Sequence, residues 1–422
     1  MLALGQELKR RGHRVTFLQT LDFESTVREG GCEFYAIDPC AYPLGSAALF
    51  LAQLRNLREP AATCYWFEER QRAAAVLCRD LPQTIQQLGI DALIVDQNEP
   101  AGATIADHLQ IPFVTVSNGL MMHREPDIPP VFTLWPYRSR QWARLRNQIV
   151  HGWVNYRSIK YNRVLAAYRQ EWKLPFLPQA ELLYANSRLA QISQQPATFD
   201  FPRLALPPHF HYVGPLRSSL SNSYVQSSLF PFSLLTQKPL IYASLGSLMQ
   251  NRQVFTCIAA ACEGLNAQLV LAHGGSLTEQ EAAALPGNPL AVPYAPQRKL
   301  LARASLTITH AGLNTVLDAL SFGVPLVAIP IAFEQPAIAA RIRWTGTGEV
   351  IPGDRLSVPK LRAAIQQVLT DQSYLQKALT IQASIAQSGG ILSAADIVEQ
   401  AVWTGQPVIS SCSLKQTLLD VA

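Results

Sequence analysis

A histidine, a glycine and two polar side chains lie within the segment 310–315, which reads H-A-G-L-N-T. This segment follows the β-rich run Ser305–Thr309 and precedes a helical pattern, so it predicts a strand, a glycine turn and the start of a helix. Such a turn presents free backbone N–H groups at the positive end of a helix dipole, which suits an anion such as a phosphate. His310 would donate a further hydrogen bond to that anion, and Asn314 or Thr315 is expected to cap the helix.

Each part of this segment also has an ordinary structural explanation. A lone histidine before a glycine turn is more often structural than functional, and a strand followed by a glycine turn and a helix is common in α/β proteins. The acid-Gln pair Glu334-Gln335 alone would indicate a surface loop. The longer string from Tyr294 to Gln335 is more specific, because several such elements follow one another in order.

This longer string resembles the nucleotide-sugar-binding box of the inverting UDP-glycosyltransferases. The resemblance rests on four elements, which are an aromatic-x-Pro-Gln start (Tyr294, Pro296, Gln297), an H-x-G-x-N-T turn (His310, Gly312, Asn314, Thr315), an acid eight residues after the histidine (Asp318), and a final acid-Gln pair (Glu334, Gln335). It implies that the second half of the chain binds a UDP-sugar donor.

The resemblance assigns the nucleoside to residues before the predicted strand and to one residue within the predicted helix. Tyr294 would stack on the uracil in place of the more usual tryptophan, and Gln297 would contact the nucleoside. Ala295 belongs to the same set of donor-binding residues. Asp318 would accept hydrogen bonds from the ribose hydroxyls, although it is one carbon shorter than the family's usual glutamate.

The remaining donor residues would bind the diphosphate and the sugar. The diphosphate would be held by the turn at Gly312 together with Gly246, Ser247, His310, Asn314 and Thr315. Fixed hydrogen-bond donors at that point can take the place of a metal ion, so no metal and no cofactor beyond the co-substrate UDP-glucose is expected. Glu334 and Gln335 would bind the hexose hydroxyls, which favours glucose or a similar sugar.

Asp96 is a candidate catalytic residue in the first half of the chain. It ends the short apolar run Ala92–Val95, which predicts a buried strand, and open α/β sheets bind ligands at the carboxyl ends of their strands. From position alone, a turn-forming aspartate is an equally good explanation. In the resembling family, an aspartate after this strand orients the catalytic histidine and takes up its developing positive charge, which favours the functional interpretation.

The beginning of the chain departs from the family's pattern. The helical spacing of Met1–Arg11 precedes the strand pattern Arg14–Gln19, although a doubly wound sheet normally opens with a strand. In the family, a strand and a Gly-His turn come before this helix, and that histidine is the general base. We expect this start to lie on an internal methionine, and the alternative is a true shortening with loss of catalysis. None of His13, His108 and His123 lies where the family has its base.

The order of predicted elements indicates two α/β halves with parallel sheets and crossover helices. The resemblance implies the GT-B fold, in which two Rossmann-like domains face each other across a cleft. Leu182–Asn186 and His211–Val213 are predicted as the last strands of the first domain, and Gln268–Ala272 as a strand of the second. The expected division is an acceptor-binding domain over 1–217 without its first strand, a linker over 218–236, a donor-binding domain over 237–390, a terminal helix over 391–409 that packs back on the first domain, and a tail over 410–422.

Composition limits the class of protein. With 422 residues, 48% hydrophobic and 15% charged, the chain is expected to be globular and large enough for two domains. A net charge of +5 is too small to imply a nucleic-acid partner, and none is expected. The seven cysteines form no C-x-x-C pair, and without a recognisable secretory signal they favour reduced thiols and a cytoplasmic location. No apolar run approaches the ~18–20 residues of a transmembrane helix.

The segment between Asp127 and Glu171 has the most unusual composition of the chain, because it contains no acidic residue. Basic residues (Arg138, Arg140, Arg144, Arg146, Arg157, Lys160 and Arg163) are interleaved with aromatic ones (Trp135, Tyr137, Trp142, Trp153, Tyr156 and Tyr161). This pattern fits a surface that rests on anionic lipid. A solvated helix pair with a few buried aromatic residues explains it equally well.

The resemblance implies a UDP-dependent hexosyltransferase that moves glucose, with inversion, to a hydroxyl of an apolar acceptor such as the carotenoid zeaxanthin. Macrolide, sterol or phenolic acceptors remain alternatives, because variable pocket loops determine the acceptor. From a different class, the chain could be a UDP-sugar-binding protein without catalysis. Both classes should bind UDP-glucose, and only the enzyme should consume it when an acceptor is present.

Overall fold

The computed structural model describes residues 1–57, 61–218, 230–246 and 252–410. Within these ranges helices and strands alternate along the chain, and the strand pairs are parallel. The sheets are separate in the first half of the chain (1–218) and the second half (230–410). This is the α/β architecture with two Rossmann-like halves that the sequence predicted.

The strands of the first half form a two-stranded and a four-stranded sheet. They are β1 (Thr16–Gln19), β2 (Glu33–Ala36), β3 (Leu93–Asp96), β4 (Phe113–Ser117), β5 (Gln191–Ser193) and β6 (Phe210–Tyr212). β1 pairs with β2, and β3 to β6 pair in chain order. The strand predicted at Leu182–Asn186 is wrong, because these residues end a short helix and form a turn. The strand lies instead at β5, a short segment whose polar side chains are buried.

Helices of the first half flank these sheets. They are α1 (Leu2–Arg10), α2 (Glu24–Glu29), α3 (Ser46–Asn56), α4 (Ala61–Leu88), α5 (Ala101–Leu109), α6 (Gln141–Arg157), α7 (Ile159–Glu171) and α8 (Gln179–Leu182). α4 and α7 pack against each other, and the core between them includes Ile85, Ile105 and Leu165.

A six-stranded parallel sheet forms the centre of the second half. Its strands are β7 (Leu240–Ser244), β8 (Gln268–Ala272), β9 (Leu290–Val292), β10 (Ala304–Thr309), β11 (Leu326–Ala328) and β12 (Gly348–Val350). β8 has the predicted bounds. In space the order is β9-β8-β7-β10-β11-β12, which is the 3-2-1-4-5-6 order of a doubly wound nucleotide-binding sheet.

Both faces of this sheet are buried. Along β7, Leu240 and Tyr242 belong to the core on one face, and Ile241 and Ala243 to the core on the other. This two-residue alternation with apolar residues on both sides is the reason why the strands read as continuous hydrophobic runs. The helices that cover the faces are α9 (Arg252–Cys262), α10 (Glu279–Ala283), α11 (Gln297–Leu301), α12 (Leu313–Ser321), α13 (Gln335–Thr345), α14 (Val358–Thr370) and α15 (Gln372–Gln387).

The last described helix, α16 (Gly390–Thr404), lies against the first half. Its Ala394, Val398 and Ala401 share a core with Leu4 of α1 and Val114 of β4. Arg11 adds ion pairs to Asp396 and Glu399 at 2.6 and 2.7 Å. The chain therefore returns from the second sheet to the first.

Parts of three expectations lie outside the described residues, namely most of the linker (219–229), the donor residue Ser247 and all but the first residue of the tail (411–422). The six described cysteines are free thiols. Among the described helices, none has both the length and the hydropathy that crossing a bilayer requires.

Candidate functional site

The predicted donor residues that the structure describes lie at the carboxyl-terminal edge of the second-half sheet. Gly246 follows β7, Tyr294 and Ala295 follow β9, the His310 turn follows β10, and Glu334 and Gln335 follow β11. β7 and β10 are neighbours, since Ser244 pairs with Thr309. The strand order reverses between these two strands, and doubly wound sheets bind nucleotides at such a point.

His310 is enclosed by two glycines. A Cβ atom added at Gly246 would lie 2.9 Å from Cε1 of His310, and one added at Gly312 would lie 2.5 Å from its Nε2. Any larger residue would therefore displace the imidazole ring. Gly246 also has a φ of +71°, a left-handed conformation that other residues rarely adopt. The two glycines thus fix the place of the histidine between β7 and β10.

The turn after His310 is strained. Ala311 has a φ of +66°, which is uncommon for a residue with a side chain and is often found at functional sites. Gly312 is the N-cap of α12, and no side chain caps this helix. The expected capping by Asn314 or Thr315 is therefore wrong, because both residues already lie inside the helix. Their backbone N–H groups belong to its first turn, where an anion can accept from them.

Burial lowers the pKa of His310 to about 4. The ring is therefore neutral near pH 7, and it can donate one hydrogen bond without carrying a charge. Its Nδ1 atom is buried and has no hydrogen-bond partner among the described residues. An unsatisfied buried nitrogen is costly, so the site is incomplete as it stands and suits a ligand that hydrogen-bonds to the ring.

Gln297 and Asp318 face each other beside this turn. Nε2 of Gln297 donates to Oδ2 of Asp318 at 2.7 Å, and the hydroxyl of Tyr242 donates to Oε1 of Gln297 at 3.4 Å. Asp318 is buried, whereas Tyr294 exposes 55% of its surface. Tyr294 therefore offers a half-exposed aromatic ring for stacking, and Asp318 offers a buried carboxylate that can accept from hydroxyl groups.

Glu334 and Gln335 lie at the start of α13, after Phe333, which has a φ of +55°. Oε1 of Gln335 accepts from the backbone N–H groups of Ile331 and Ala332, at 2.9 Å each. These bonds fix the loop and leave the side-chain NH₂ of Gln335 available as a donor. Burial raises the pKa of Glu334 above its usual value.

Asp96 ends β3 in the first half, at the carboxyl edge of that sheet. Its Oδ1 accepts from the backbone N–H of Asn98 at 2.9 Å and from the side-chain amide of Asn98 at 3.0 Å. Burial raises the pKa of Asp96, and these two bonds oppose the rise.

The carboxyl edges of the first-half and second-half sheets approach each other. The side-chain amide of Gln194, which follows β5, donates both to the carbonyl of Asn118 and, at 3.1 Å, to Oδ1 of Asn314 on α12. Oε1 of Glu334 lies 3.7 Å from the place of a Cβ atom at Gly119. The candidate donor site and the surroundings of Asp96 therefore belong to one cleft.

Sequence reasoning missed Gln194 and Arg217. These two residues belong to the first half of the chain and contact predicted donor residues in the second half. Gln194 stands in the run Q-I-S-Q-Q, and this local density of polar residues was the available signal. Arg217 carried no signal in the sequence, because its partners lie about a hundred positions further along the chain.

His13, His108 and His123, for which the sequence predicts no catalytic role, each contact a residue outside the candidate site. His13 pairs with Glu399 at 2.8 Å, His108 stacks on Trp172 with the rings 4.1 Å apart, and His123 bonds to the carbonyl of Ala205 at 3.1 Å. Among the residues that the structure describes, no group of three or more His, Cys, Asp or Glu is placed to hold a metal ion.

Comparison with known proteins gives one consistent result over most of the chain. The profile of the family described as UDP-glucoronosyl and UDP-glucosyl transferase matches residues 48–387. The zeaxanthin glucosyltransferase of Pantoea ananas is 38% identical over 96% of this chain and 94% of its own length. The zeaxanthin glucosyltransferase of Pseudescherichia vulneris is 35% identical over 95% of this chain and 94% of its own length.

The fold is also found in solved structures. A calicheamicin glycosyltransferase superposes with a TM-score of 0.73, covering 96% of this chain and 95% of its own, at 23% sequence identity. At this identity the likeness concerns the fold alone. It confirms the GT-B architecture of two Rossmann-like halves that the sequence predicted.

Proposed function

Because the chain belongs to the UDP-glucoronosyl and UDP-glucosyl transferase family, we propose that it transfers glucose from UDP-glucose to a hydroxyl group of a carotenoid such as zeaxanthin, with inversion at the sugar. The strongest support is the 38% identity to a zeaxanthin glucosyltransferase over 96% of the chain. The enclosure of His310 by two glycines at the strand-order reversal supports the donor part independently.

In this proposal the diphosphate lies at the turn after β10. The first backbone N–H groups of α12, the neutral His310 ring, Gly246, Ser247 and Thr315 are its hydrogen-bond donors, and Asn314 borders it. Uracil stacks on Tyr294 next to Ala295, and the ribose hydroxyls bond to Asp318 and Gln297. Glu334 and Gln335 receive the hexose, with the free NH₂ of Gln335 as one donor.

The transfer is a single displacement. The acceptor oxygen forms a bond to C1 of glucose while the bond from C1 to the diphosphate oxygen breaks, and UDP leaves with that electron pair. The negative charge that develops on the diphosphate is stabilised by fixed donors at the turn, and losing one such donor typically costs ~10²–10³ in rate. We therefore expect no metal requirement.

The acceptor hydroxyl also gives up a proton, and near pH 7 this needs a positioned base. We propose that Asp96 is the carboxylate that orients this base and takes up its charge. Its two bonds from Asn98 hold the carboxylate at the carboxyl edge of β3. We assign the base itself to none of His13, His108 and His123.

A membrane-embedded acceptor would require the protein to work at a membrane surface, and we propose that α6 makes this contact on the cytoplasmic side. Five of its side chains are large, hydrophobic and exposed, namely Trp142 (53%), Leu145 (59%), Ile149 (64%), Trp153 (37%) and Tyr156 (69%). At about 100° per residue they fall within an arc of about 80° on the helix. Such a stripe is the usual lipid-facing side of an interfacial helix.

The basic residues around α6 divide into two groups. Arg144 forms an ion pair with Asp127 at 2.6 Å, and Arg146 stacks on Trp135 at 4.0 Å, so both have partners within the protein. Arg138 and Arg140 are exposed just before the helix. These two are the residues best suited to anionic headgroups, where each basic residue contributes about 1 kcal/mol.

The test of the proposed function is direct. The protein is incubated with UDP-glucose and zeaxanthin in detergent, and UDP release and glucosylated carotenoid are measured together, with and without a chelator. We expect one UDP released for each glucose transferred to the carotenoid, and no effect of the chelator. Binding of UDP-glucose without consumption in the presence of zeaxanthin and of macrolide, sterol and phenolic acceptors would instead identify a UDP-sugar-binding protein.

A further inference from the structure

Arg217 crosses from the first half of the chain to the predicted donor site. It ends the segment Val213–Arg217, which directly follows β6. Two contacts hold this segment in place. The backbone N–H of Gly390 donates to the carbonyl of Val213 at 2.6 Å, and Leu216 is buried in the core shared with α16. The side chain of Arg217 therefore starts from a rigid point.

The guanidinium group is directed at α12. Its Nε donates to Oδ1 of Asp318 at 2.7 Å, and its Nη2 donates to Oδ1 of Asn314 at 3.0 Å and to the carbonyl of Asn314 at 3.2 Å. Nη1 donates to Oε1 of Gln194 at 3.2 Å and to the carbonyl of Leu216 at 3.3 Å. Asn314 and Asp318 are four residues apart, so they lie next to each other on one face of the helix.

This contact satisfies the Asp318 carboxylate within the protein. Asp318 has one oxygen bonded to Arg217 and the other bonded to Gln297. The side chains of Asp318 and Arg217 are 10% and 20% exposed, so the ion pair is largely shielded from water. A nucleotide that used Asp318 for its ribose would have to compete with the guanidinium for this carboxylate.

We infer that Arg217 is a donor-binding residue that exchanges the Asp318 carboxylate for the diphosphate group of the nucleotide. This inference rests on the proposed function. The guanidinium is already bonded to Asn314, in the first turn of α12, and its planar fork matches the oxygens of a phosphate. Moving from Asp318 to the diphosphate keeps its charge paired and frees the carboxylate for the ribose hydroxyls.

The exchange makes a specific prediction about which ligands depend on Arg217. A ligand with a diphosphate gains the guanidinium contact, whereas a nucleoside gains nothing and still has to displace it from Asp318. Replacing the charge should therefore weaken UDP binding and leave uridine binding equal or tighter. A residue that only held the two halves together would affect both ligands equally.

The experiment measures the dissociation constants of UDP and uridine for the wild type and for Arg217→Gln by calorimetry. We expect Arg217→Gln to weaken UDP binding about 10- to 100-fold, the range for losing a charged hydrogen-bond partner, and not to weaken uridine binding. Arg362→Gln is the matched control, because its guanidinium bonds only to the carbonyls of Ala260 and Glu263 among the described contacts. It should leave both constants unchanged.

Two results would overturn the inference, namely an unchanged UDP constant in Arg217→Gln, or equal weakening for UDP and uridine. If Arg217→Gln does not fold, Arg217→Met also removes the charge, and the ratio of the UDP and uridine constants decides in the same way. A wild-type protein that binds neither ligand would instead contradict the proposed function.

Discussion

Asp200 and Arg341 join the two halves of the chain through a buried ion pair. Nη2 of Arg341, on α13, lies 2.7 Å from Oδ1 of Asp200, and both side chains are 1% exposed. The second carboxylate oxygen of Asp200 accepts from Arg203 at 2.8 Å and from the hydroxyl of Tyr212 at 2.9 Å. The ring of Phe201 covers the Arg341 guanidinium at 4.3 Å. This cluster determines where the two walls of the cleft stand relative to each other.

Replacing Asp200 by Asn should destabilise the protein strongly. The amide has the shape of the carboxylate but leaves Arg341 as an uncompensated buried charge, and breaking such a pair costs about 3–5 kcal/mol of the free energy of unfolding. Asp396→Asn is the matched control, because Asp396 also pairs with an arginine but is 70% exposed, and exposed pairs contribute little. Urea denaturation should show a much larger loss for Asp200→Asn, and equal losses would contradict this account.

Acidification should destabilise the protein between about pH 6.5 and pH 4, and His310 and His151 should contribute to this loss. Burial lowers the pKa of each to about 4, from a usual value of 6.5. In that range the unfolded chain binds protons that the folded protein does not, so stability is full above pH 6.5 and falls with pH. The difference in thermal midpoint between pH 7 and pH 5 should shrink in His310→Gln and in His151→Gln. An unchanged difference in both would show that these rings are accessible to protons.

A second acid transition should depend on Asp200. Burial alone would raise its pKa, but the charges of Arg341 and Arg203 outweigh this effect and hold the pKa at about 2. Its contribution to stability is therefore complete above about pH 4 and is lost as the pH falls towards 2. Asp200→Asn should lose this lower transition and keep the one between pH 6.5 and 4.

The positions of the strands could be predicted where apolar runs are flanked by glycine turns, as at Gln268–Ala272. The prediction was wrong at Leu182–Asn186, because this short apolar run packs as the end of a helix and the turn after it. β5 was missed because its glutamine and serine side chains are buried, and burial of polar residues is decided by neighbours distant in sequence.

The same limit applies to the candidate site. The residues at strand ends could be named because a parallel sheet brings the carboxyl ends of its strands together. Arg217 and the pair of Asp200 with Arg341 could not be found, because nothing local distinguishes an arginine that is buried against a distant carboxylate from one in solvent. Contacts between the halves depend on how the two sheets face each other, and no periodicity in the sequence reports that.

Gly246→Ala should weaken UDP binding about 10-fold or more, since its Cβ atom would push the His310 ring out of place, and a hydrogen bond to a charged group contributes about 1.5–3 kcal/mol. Gly264→Ala is a close control, because Gly264 has a similar φ (+76° against +71°) but no atom within 4 Å of its added Cβ. It should lose stability without losing UDP affinity. In a His310→Ala background the effect of Gly246→Ala on UDP binding should disappear, and persistence there would assign the effect to the backbone.

Asp96→Asn should lower turnover without changing donor binding, because Asp96 lies in the first half of the chain and the candidate donor site in the second. The amide keeps the size of the carboxylate and its acceptor oxygen for Asn98, but it cannot take up positive charge from a base. Turnover in an active preparation should fall by roughly 10²–10⁴, the usual contribution of acid–base catalysis, while the UDP dissociation constant stays unchanged. Equal turnover would reject the role of Asp96 as partner of the base, and a parallel loss of UDP affinity would point to a structural role.

The hydrophobic stripe of α6 is tested with liposomes of an anionic and of a neutral phospholipid. Changing Trp142 and Ile149 together to Ser removes two exposed hydrophobic side chains, and each side chain of this kind contributes about 1.5–3 kcal/mol when fully buried. Sedimentation with anionic liposomes should fall about 10-fold or more. The matched control changes Leu392 and Trp403 to Ser, an aliphatic and an aromatic residue with similar exposure (53% and 70%) on α16. It should sediment like the wild type.

The contribution of charge is tested separately by changing Arg138 and Arg140 to Glu. Both lie at the start of the stripe and are exposed, so reversing their charge should reduce sedimentation with anionic liposomes and leave binding to neutral liposomes unchanged. Arg144→Glu should instead lower stability, because it places a second acid next to the buried Asp127. If the stripe and the charge variants all sediment like the wild type, α6 is an ordinary solvated helix, and the acceptor reaches the cleft without membrane docking at this surface.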